Sequence, residues 1–143
     1  CGQRWASTFG NHDDEGNASR AQLAETQMNF STCLTQVGPS TITGVGNYTL
    51  PINPYFDAGE RNDTTPVALL YFLDSGNCAP TDIGGFDWVR HDQIEWYRLQ
   101  AKSYHTHGDK RIPALAFFHI PLPEYEQVWD FHTCYGAKFE PVC

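Results

Sequence analysis

The sequence has little positive charge. Lys and Arg number 9 against 17 Asp and Glu, a formal net charge of −8. A nucleic-acid backbone requires a basic surface, so this balance argues against a nucleic-acid partner. It argues equally against an anionic membrane surface. Long apolar runs are also missing: none approaches the roughly 20 residues needed to cross a bilayer, and no membrane span is expected. Cys1, Cys33, Cys78, Cys134 and Cys143 form no Cys-x-x-Cys pair, which removes the usual spacing of a structural zinc site. No internal repeat, low-complexity segment or leader peptide is recognisable.

What is present fits one globular unit. A chain of 143 residues is enough for one domain with one core. With 41% hydrophobic, 18% charged and 14% aromatic residues, it is composed for packing rather than disorder. Sequons for N-glycosylation stand at Asn17, Asn29, Asn47 and Asn62. Together with five cysteines, candidates for disulfides that persist in oxidising compartments, they predict passage through the secretory pathway. The expected location is secreted, extracellular, or vacuolar or lysosomal. An odd cysteine count leaves one thiol without an internal partner, and the pairing of the others stays open.

The chain alternates strand-like and helix-like stretches. Residues 5–9 read as a short strand ending in the turn Gly10-Asn11-His12-Asp13. Ser19 and Gln22 form a capping box that opens a helix to about Phe30, with Leu23, Gln27 and Phe30 along one side. Residues 33–66 are rich in Gly, Pro, Asn and Thr; a short strand is expected at 45–50 within an exposed, glycosylated excursion. Residues 67–72 are apolar on both faces, as a buried strand is. Asp74 and Asp87 read as turn residues. Asp92 and Glu95 suggest a second capping box, with a helix to about His107 whose buried side is Ile94, Tyr97, Ala101 and Tyr104. Trp88, Trp96 and Tyr97 read as core. Residues 113–118 form another apolar run and read as a buried strand, and 128–143 have no clear period.

Two of these runs end in residues with chemistry. Asn11, His12 and Asp13 offer an amide oxygen, an imidazole and a carboxylate, groups that bind hard or borderline metals and move protons. His119 stands where the last apolar run stops. Open α/β sheets place ligands outside the carboxyl ends of their strands, so two such ends suggest one shared site. The plainer alternatives are a surface turn at Asn11-His12-Asp13 and a backbone-bonded histidine at His119. His105 and His107 sit in the last turn of the expected helix, where histidine is favourable for its own reasons. His91 and His132 read as structural.

Gly10-Asn11-His12-Asp13 matches the GNH[DE] motif of the calcineurin-like metallophosphoesterases. His119-Ile120-Pro121-Leu122-Pro123-Glu124-Tyr125 resembles a stretch of the branch related to purple acid phosphatases. Leu70–Gly76, Gly85–Val89 and Gln93–Trp96 are similar to the same branch in the same order, so the resemblance covers nearly the whole chain. It implies an α/β fold: part of a layered β-sandwich flanked by helices, lacking both ends of the usual domain. Residues 1–143 would be the central part of one metallophosphoesterase domain. The implied activity is metal-dependent hydrolysis of phosphomonoesters through a two-metal site, with Fe, Zn or Mn as divalent or trivalent ions. Asn11 and His119 would be ligands of one of them. His12 would protonate the leaving oxygen, and Asp13 would hold its other ring nitrogen. The substrate would be a small phosphate ester. No Asp-x-His precedes Gly10, the only Gly-Asp is Gly108-Asp109, and Gly-His-x-His is absent. The chain therefore carries ligands for one ion only, and alone is expected to be inactive. Remaining segments of the domain, or other chains, would complete the site. The alternative is a catalytically incomplete glycoprotein with a structural or interaction role.

Overall fold

The computed structural model describes residues 2–55, 65–104 and 111–128. The fold is α/β. Strands β1 (Tyr48–Ile52), β2 (Ala68–Phe72) and β3 (Ala114–Phe117) form one mixed sheet in the order β1-β2-β3. The described helices are α1 (Arg20–Met28), α2 (His91–Tyr104) and the single turn α3 (Tyr125–Val128). No described helix is long and apolar enough to cross a membrane.

β2 is the centre of the sheet because its side chains can be buried on both faces. It runs antiparallel to β1, with Tyr48 opposite Phe72, and parallel to β3, with Phe72 opposite Phe117. That register stacks three rings in a row: Tyr48 on Phe72 at 4.5 Å and Phe72 on Phe117 at 5.0 Å. Such pairs contribute about 0.5–1.5 kcal/mol each beyond area burial. On the opposite face Tyr71 meets Tyr97 of α2 edge-on at 4.8 Å. The hydroxyl of Tyr48 donates to the Ser7 carbonyl at 2.5 Å, tying residues 5–9 to the sheet's aromatic face. Burial pushes this phenol above its ordinary value.

Several expectations shift. Residues 5–9 do not join the sheet as a strand; the extended chain makes one bridge, Trp5 with Cys33, and Thr8 Oγ1 donates to the Leu73 carbonyl at the end of β2. The strand expected at 45–50 starts at Tyr48, because the Val45 N–H is taken by Asp74 Oδ2 at 2.8 Å and the Gly46 N–H by the Val37 carbonyl. Pro51 is tolerated within β1, an edge strand of the described sheet. β3 is not buried: all four of its residues are exposed, Leu115 at 62% and Phe117 at 41%, since it is the other edge of that sheet.

α1 starts as the capping box requires. Ser19 Oγ accepts the Gln22 N–H, and Gln22 Oε1 accepts the Ser19 N–H at 2.9 Å. It buries Arg20 and Ala24, whereas Met28 and Phe30 lie exposed. α2 starts at His91, before the expected Asp92 cap. Gln93 Oε1 accepts the Arg90 N–H at 2.6 Å, and Asp92 instead reaches across to Thr43. Its one buried residue is Gln93; Ile94 and Tyr97 are more than a third exposed, and Tyr97, Ala101 and Tyr104 line an open pocket against Leu69 and Tyr71. Trp88 is likewise exposed, with the Arg90 guanidinium 3.9 Å from its ring centroid. The end of this helix beyond Tyr104 and the tail from residue 129 lie outside the described residues.

Candidate functional site

The turn after residue 9 is built by its own polar groups. Asp13 Oδ2 accepts the Gly10 N–H at 2.6 Å, which closes Gly10–Asp13 into a compact turn and projects Asn11 and His12. This corrects the expected role of Asp13. Its carboxylate is used on Gly10 and does not orient His12. The carboxylate at His12 is Glu15, with Oε1 2.7 Å from Nδ1. A carboxylate there keeps the proton on Nδ1 and fixes the tautomer of the ring. The spacing of a helical turn, His12 to Glu15, could have signalled this pair in the sequence.

His119 stands two residues beyond β3. The ladder continues past the strand, with the Leu73 N–H donating to the Phe117 carbonyl at 2.9 Å. The Ile120 N–H then donates to Ser75 Oγ at 2.9 Å. These bonds align the segment after β3 with the segment after β2. The result brings together two residues 108 positions apart: His119 Nε2 lies 2.8 Å from Asn11 Oδ1. Gly10 makes room for the contact, since a Cβ there would stand 3.2 Å from the imidazole.

Two donors on one ion, each about 2.1 Å from it and at right angles, are separated by about 3 Å. The Asn11–His119 pair fits that requirement in distance and in donor type, an amide oxygen beside an imidazole. The charge requirement is met less well. Among the described residues no group of three or more His, Cys, Asp or Glu is placed to hold a metal. Asp130-Phe131-His132 is an Asp-x-His, but it follows Gly10-Asn11-His12-Asp13 in the chain and lies outside the described residues, as do His105 and His107.

Behind the site is a buried polar cluster whose roles the sequence reading did not assign. Asp74, 3% exposed, is no ordinary turn residue. Its Oδ1 pairs with Arg20 Nη1 and accepts the Gly76 N–H at 3.0 Å; its Oδ2 accepts the Val45 N–H. Its own N–H donates to Asn47 Oδ1, and its carbonyl accepts Gln93 Nε2 at 2.7 Å. Gly44, at φ 84°, comes so close that a Cβ there would lie 2.9 Å from the carboxylate. Asp87 does fix a turn, with Oδ1 accepting the Trp88 N–H and pairing with Arg90.

The cluster overturns one proposed glycan site. Asn47 is 1% exposed and has both ends of its amide engaged, so a glycan cannot be carried there in this fold. Asn17 and Asn29 are exposed, and Asn62 lies outside the described residues. Cys33 and Cys78 are unpaired among the described residues; Cys1, Cys134 and Cys143 lie outside them.

No family model matches the chain, and no solved structure matches it significantly. Curated sequences do. Across most of its length the chain is purple-acid-phosphatase-like in sequence. Probable inactive purple acid phosphatase 29 of Arabidopsis thaliana is 35% identical over 148 residues, covering 95% of this chain and 38% of that protein. Phosphatase DCR2 of Saccharomyces cerevisiae is 39% identical over 130 residues, covering 85% and 21%. Probable inactive purple acid phosphatase 14 of Arabidopsis thaliana is 30% identical over 153 residues, covering 97% and 38%. The chain thus spans between 21% and 38% of the length of these relatives.

Proposed function

We propose that residues 1–143 are the central part of a metal-dependent phosphomonoesterase domain, in which Asn11 and His119 hold one ion of a two-metal site. The observation that supports it most is the 2.8 Å approach of Asn11 Oδ1 to His119 Nε2. With the ring proton on Nδ1, the His119 Nε2 and Asn11 Oδ1 lone pairs would both be available to one cation. A bound pair of ions supplies polarisation of the phosphoryl group and activation of water. The chain's own residues then have simple tasks. Asn11 and His119 donate lone pairs. Asp13 keeps the turn closed. Glu15 holds Nδ1 of His12, so that the imidazole can give a proton to the leaving oxygen of a small phosphate ester. Ligands for the second ion come from other segments of the domain or from other chains.

A second reading has a specific support. Relatives of this chain bear the words "probable inactive" in their names, and the described residues offer no anionic metal ligand set. In that reading the fold is kept as a scaffold for interaction. One experiment decides. The natural full-length polypeptide is loaded with Zn²⁺, Fe³⁺ or Mn²⁺ and assayed on p-nitrophenyl phosphate beside His12→Ala and His119→Ala. The phosphatase reading expects turnover in the parent and a loss of about 100-fold or more in both variants. No turnover in any of the three leaves the scaffold reading; equal turnover in all three overturns the roles given to His12 and His119.

We also propose that the protein is secreted, extracellular, or vacuolar or lysosomal. The exposed sequons at Asn17 and Asn29 support this, and Asn47 no longer does. Peptide mapping of native material should find glycan at Asn17 or Asn29 and none at Asn47.

A further inference from the structure

Both segments that carry the candidate ligands are anchored to one buried group. Arg20 is the first residue of α1 and its side chain is only 8% exposed. Burying a guanidinium is costly unless its donors are used. Here Nη2 donates to the Gly10 carbonyl at 3.0 Å and to the Gly76 carbonyl at 3.1 Å. Nη1 is on Asp74, and Nε lies 3.3 Å from Asp14 Oδ2, an ion-pair contact rather than an aligned hydrogen bond. Gly10 directly precedes Asn11 and also floors the His119 ring. Gly76 directly follows Ser75, which is 0% exposed and accepts the N–H of Ile120, the residue after His119.

We propose that Arg20, acting with Ser75, is a positioning residue for the Asn11–His119 pair. One nitrogen of the guanidinium, Nη2, holds both the Gly10–Asn11 peptide and the Gly76–Asn77 peptide, and Ser75, next to Gly76, holds the peptide after His119. Stability alone does not account for this choice. A buried Arg–Asp pair is often replaceable by apolar residues without loss of stability. What apolar residues cannot do is span two carbonyls and a carboxylate at set angles. Lysine, a single compact ammonium, cannot do so either. The inference rests on the proposed metal-binding role only for its metal readout; the geometry it concerns is present in the metal-free chain.

The experiment uses the full-length polypeptide with Arg20→Lys, Ser75→Ala, Asn11→Ala, His119→Ala and, as control, Arg98→Lys, whose ion pair with Glu95 is on the surface. Circular dichroism reports folding. Imidazole ¹⁵N shifts of His119 in the metal-free protein report the pair. Zn²⁺ affinity by competition with a chromophoric chelator reports the site. Arg20→Lys and Ser75→Ala should keep the parent fold, move the His119 ring shifts toward tautomer-averaged values, and weaken Zn²⁺ roughly 10–100-fold. Arg98→Lys should change none of these. Folded Arg20→Lys or Ser75→Ala with parental His119 shifts and parental Zn²⁺ affinity overturns the proposal. If Arg20→Lys fails to fold, Ser75→Ala decides by the same two readouts. Unchanged Zn²⁺ affinity in Asn11→Ala and His119→Ala overturns the metal reading instead, and the ¹⁵N shifts then judge the positioning role without it.

Discussion

The exposed turn at residues 10–15 and the buried cluster around Asp74 are both polar, yet they are held in opposite ways. In the turn, Asp13 and Glu15 bond to neighbours three residues away and all are near water. In the cluster, Arg20, Asn47, Asp74, Ser75 and Gln93 are all less than 9% exposed, and the bonds that join Arg20, Asn47, Asp74 and Gln93 to one another span 19 to 54 positions. Local bonds in water are weak because solvent competes for every group. Buried bonds are individually decisive because nothing replaces a lost partner. The chain thus presents its candidate site groups on a local turn and secures that turn from behind with a buried long-range network.

The comparison breaks most visibly at Asp74. Asp74→Ala leaves the Arg20 guanidinium buried without its Asp74 carboxylate and the Gly76 and Val45 N–H groups without acceptors. Removing one partner of a buried pair costs about 3–5 kcal/mol, and denaturant unfolding should show a loss of that order or outright unfolding. Asp13→Ala, the corresponding change in the turn, should cost no more than about 1 kcal/mol. Equal losses for the two would erase the distinction. Asn47→Ala sits between them. It strips acceptors from the Asp74 N–H and Gln93 Nε2, and each unsatisfied buried group costs about 1–3 kcal/mol.

How much of this could be read from residues follows the same division. α1 was legible because Ser19 and Gln22 are three positions apart and cap each other locally. β2 was legible because a continuous apolar run needs no partner to be recognised. The meeting of Asn11 with His119 was expected, but only through a resemblance and the rule that strand ends share an edge. Misreadings arose where a distant partner decided. Asp92 looks like a helix cap until Thr43 takes its carboxylate. Asn47-Tyr48-Thr49 looks like a sequon until Gln93 and Asp74 bury it. Asp74 looks like a turn residue until Arg20 arrives from 54 positions away. Glu15 was overlooked in favour of Asp13 although its signal was local.

A smaller effect sharpens the comparison at the seam between the two regions. Gly10→Ala places a methyl 3.2 Å from His119 Cε1 and 3.3 Å from Nε2. The imidazole is exposed and can give way, so stability should change by less than about 1 kcal/mol. The Asn11–His119 contact should not survive intact. Two-dimensional ¹⁵N spectra of the imidazole should move while the thermal midpoint hardly does. A large drop in midpoint with unmoved His119 shifts would mean that the turn, not the ring, is the tight component.

The smallest expected effect is a test of pH at the surface. Asp92 is held below its ordinary carboxylate value of 3.8, first by the Thr43 N–H, then by the Thr43 hydroxyl. A group whose folded value is depressed binds its proton less readily in the folded chain. Its contribution is therefore present above the ordinary value of 3.8 and lost as pH falls through the lower, folded value. Asp92→Asn removes the charge at every pH. The thermal midpoint of the variant should lie slightly below the parent's near neutrality, and the gap should close as the medium is acidified past the carboxylate range. Solvent and salt screen this pair, so the gap should also narrow in high salt. A gap that stays constant from neutral to acid would show that the Thr43–Asp92 bond acts through its shape and not its charge.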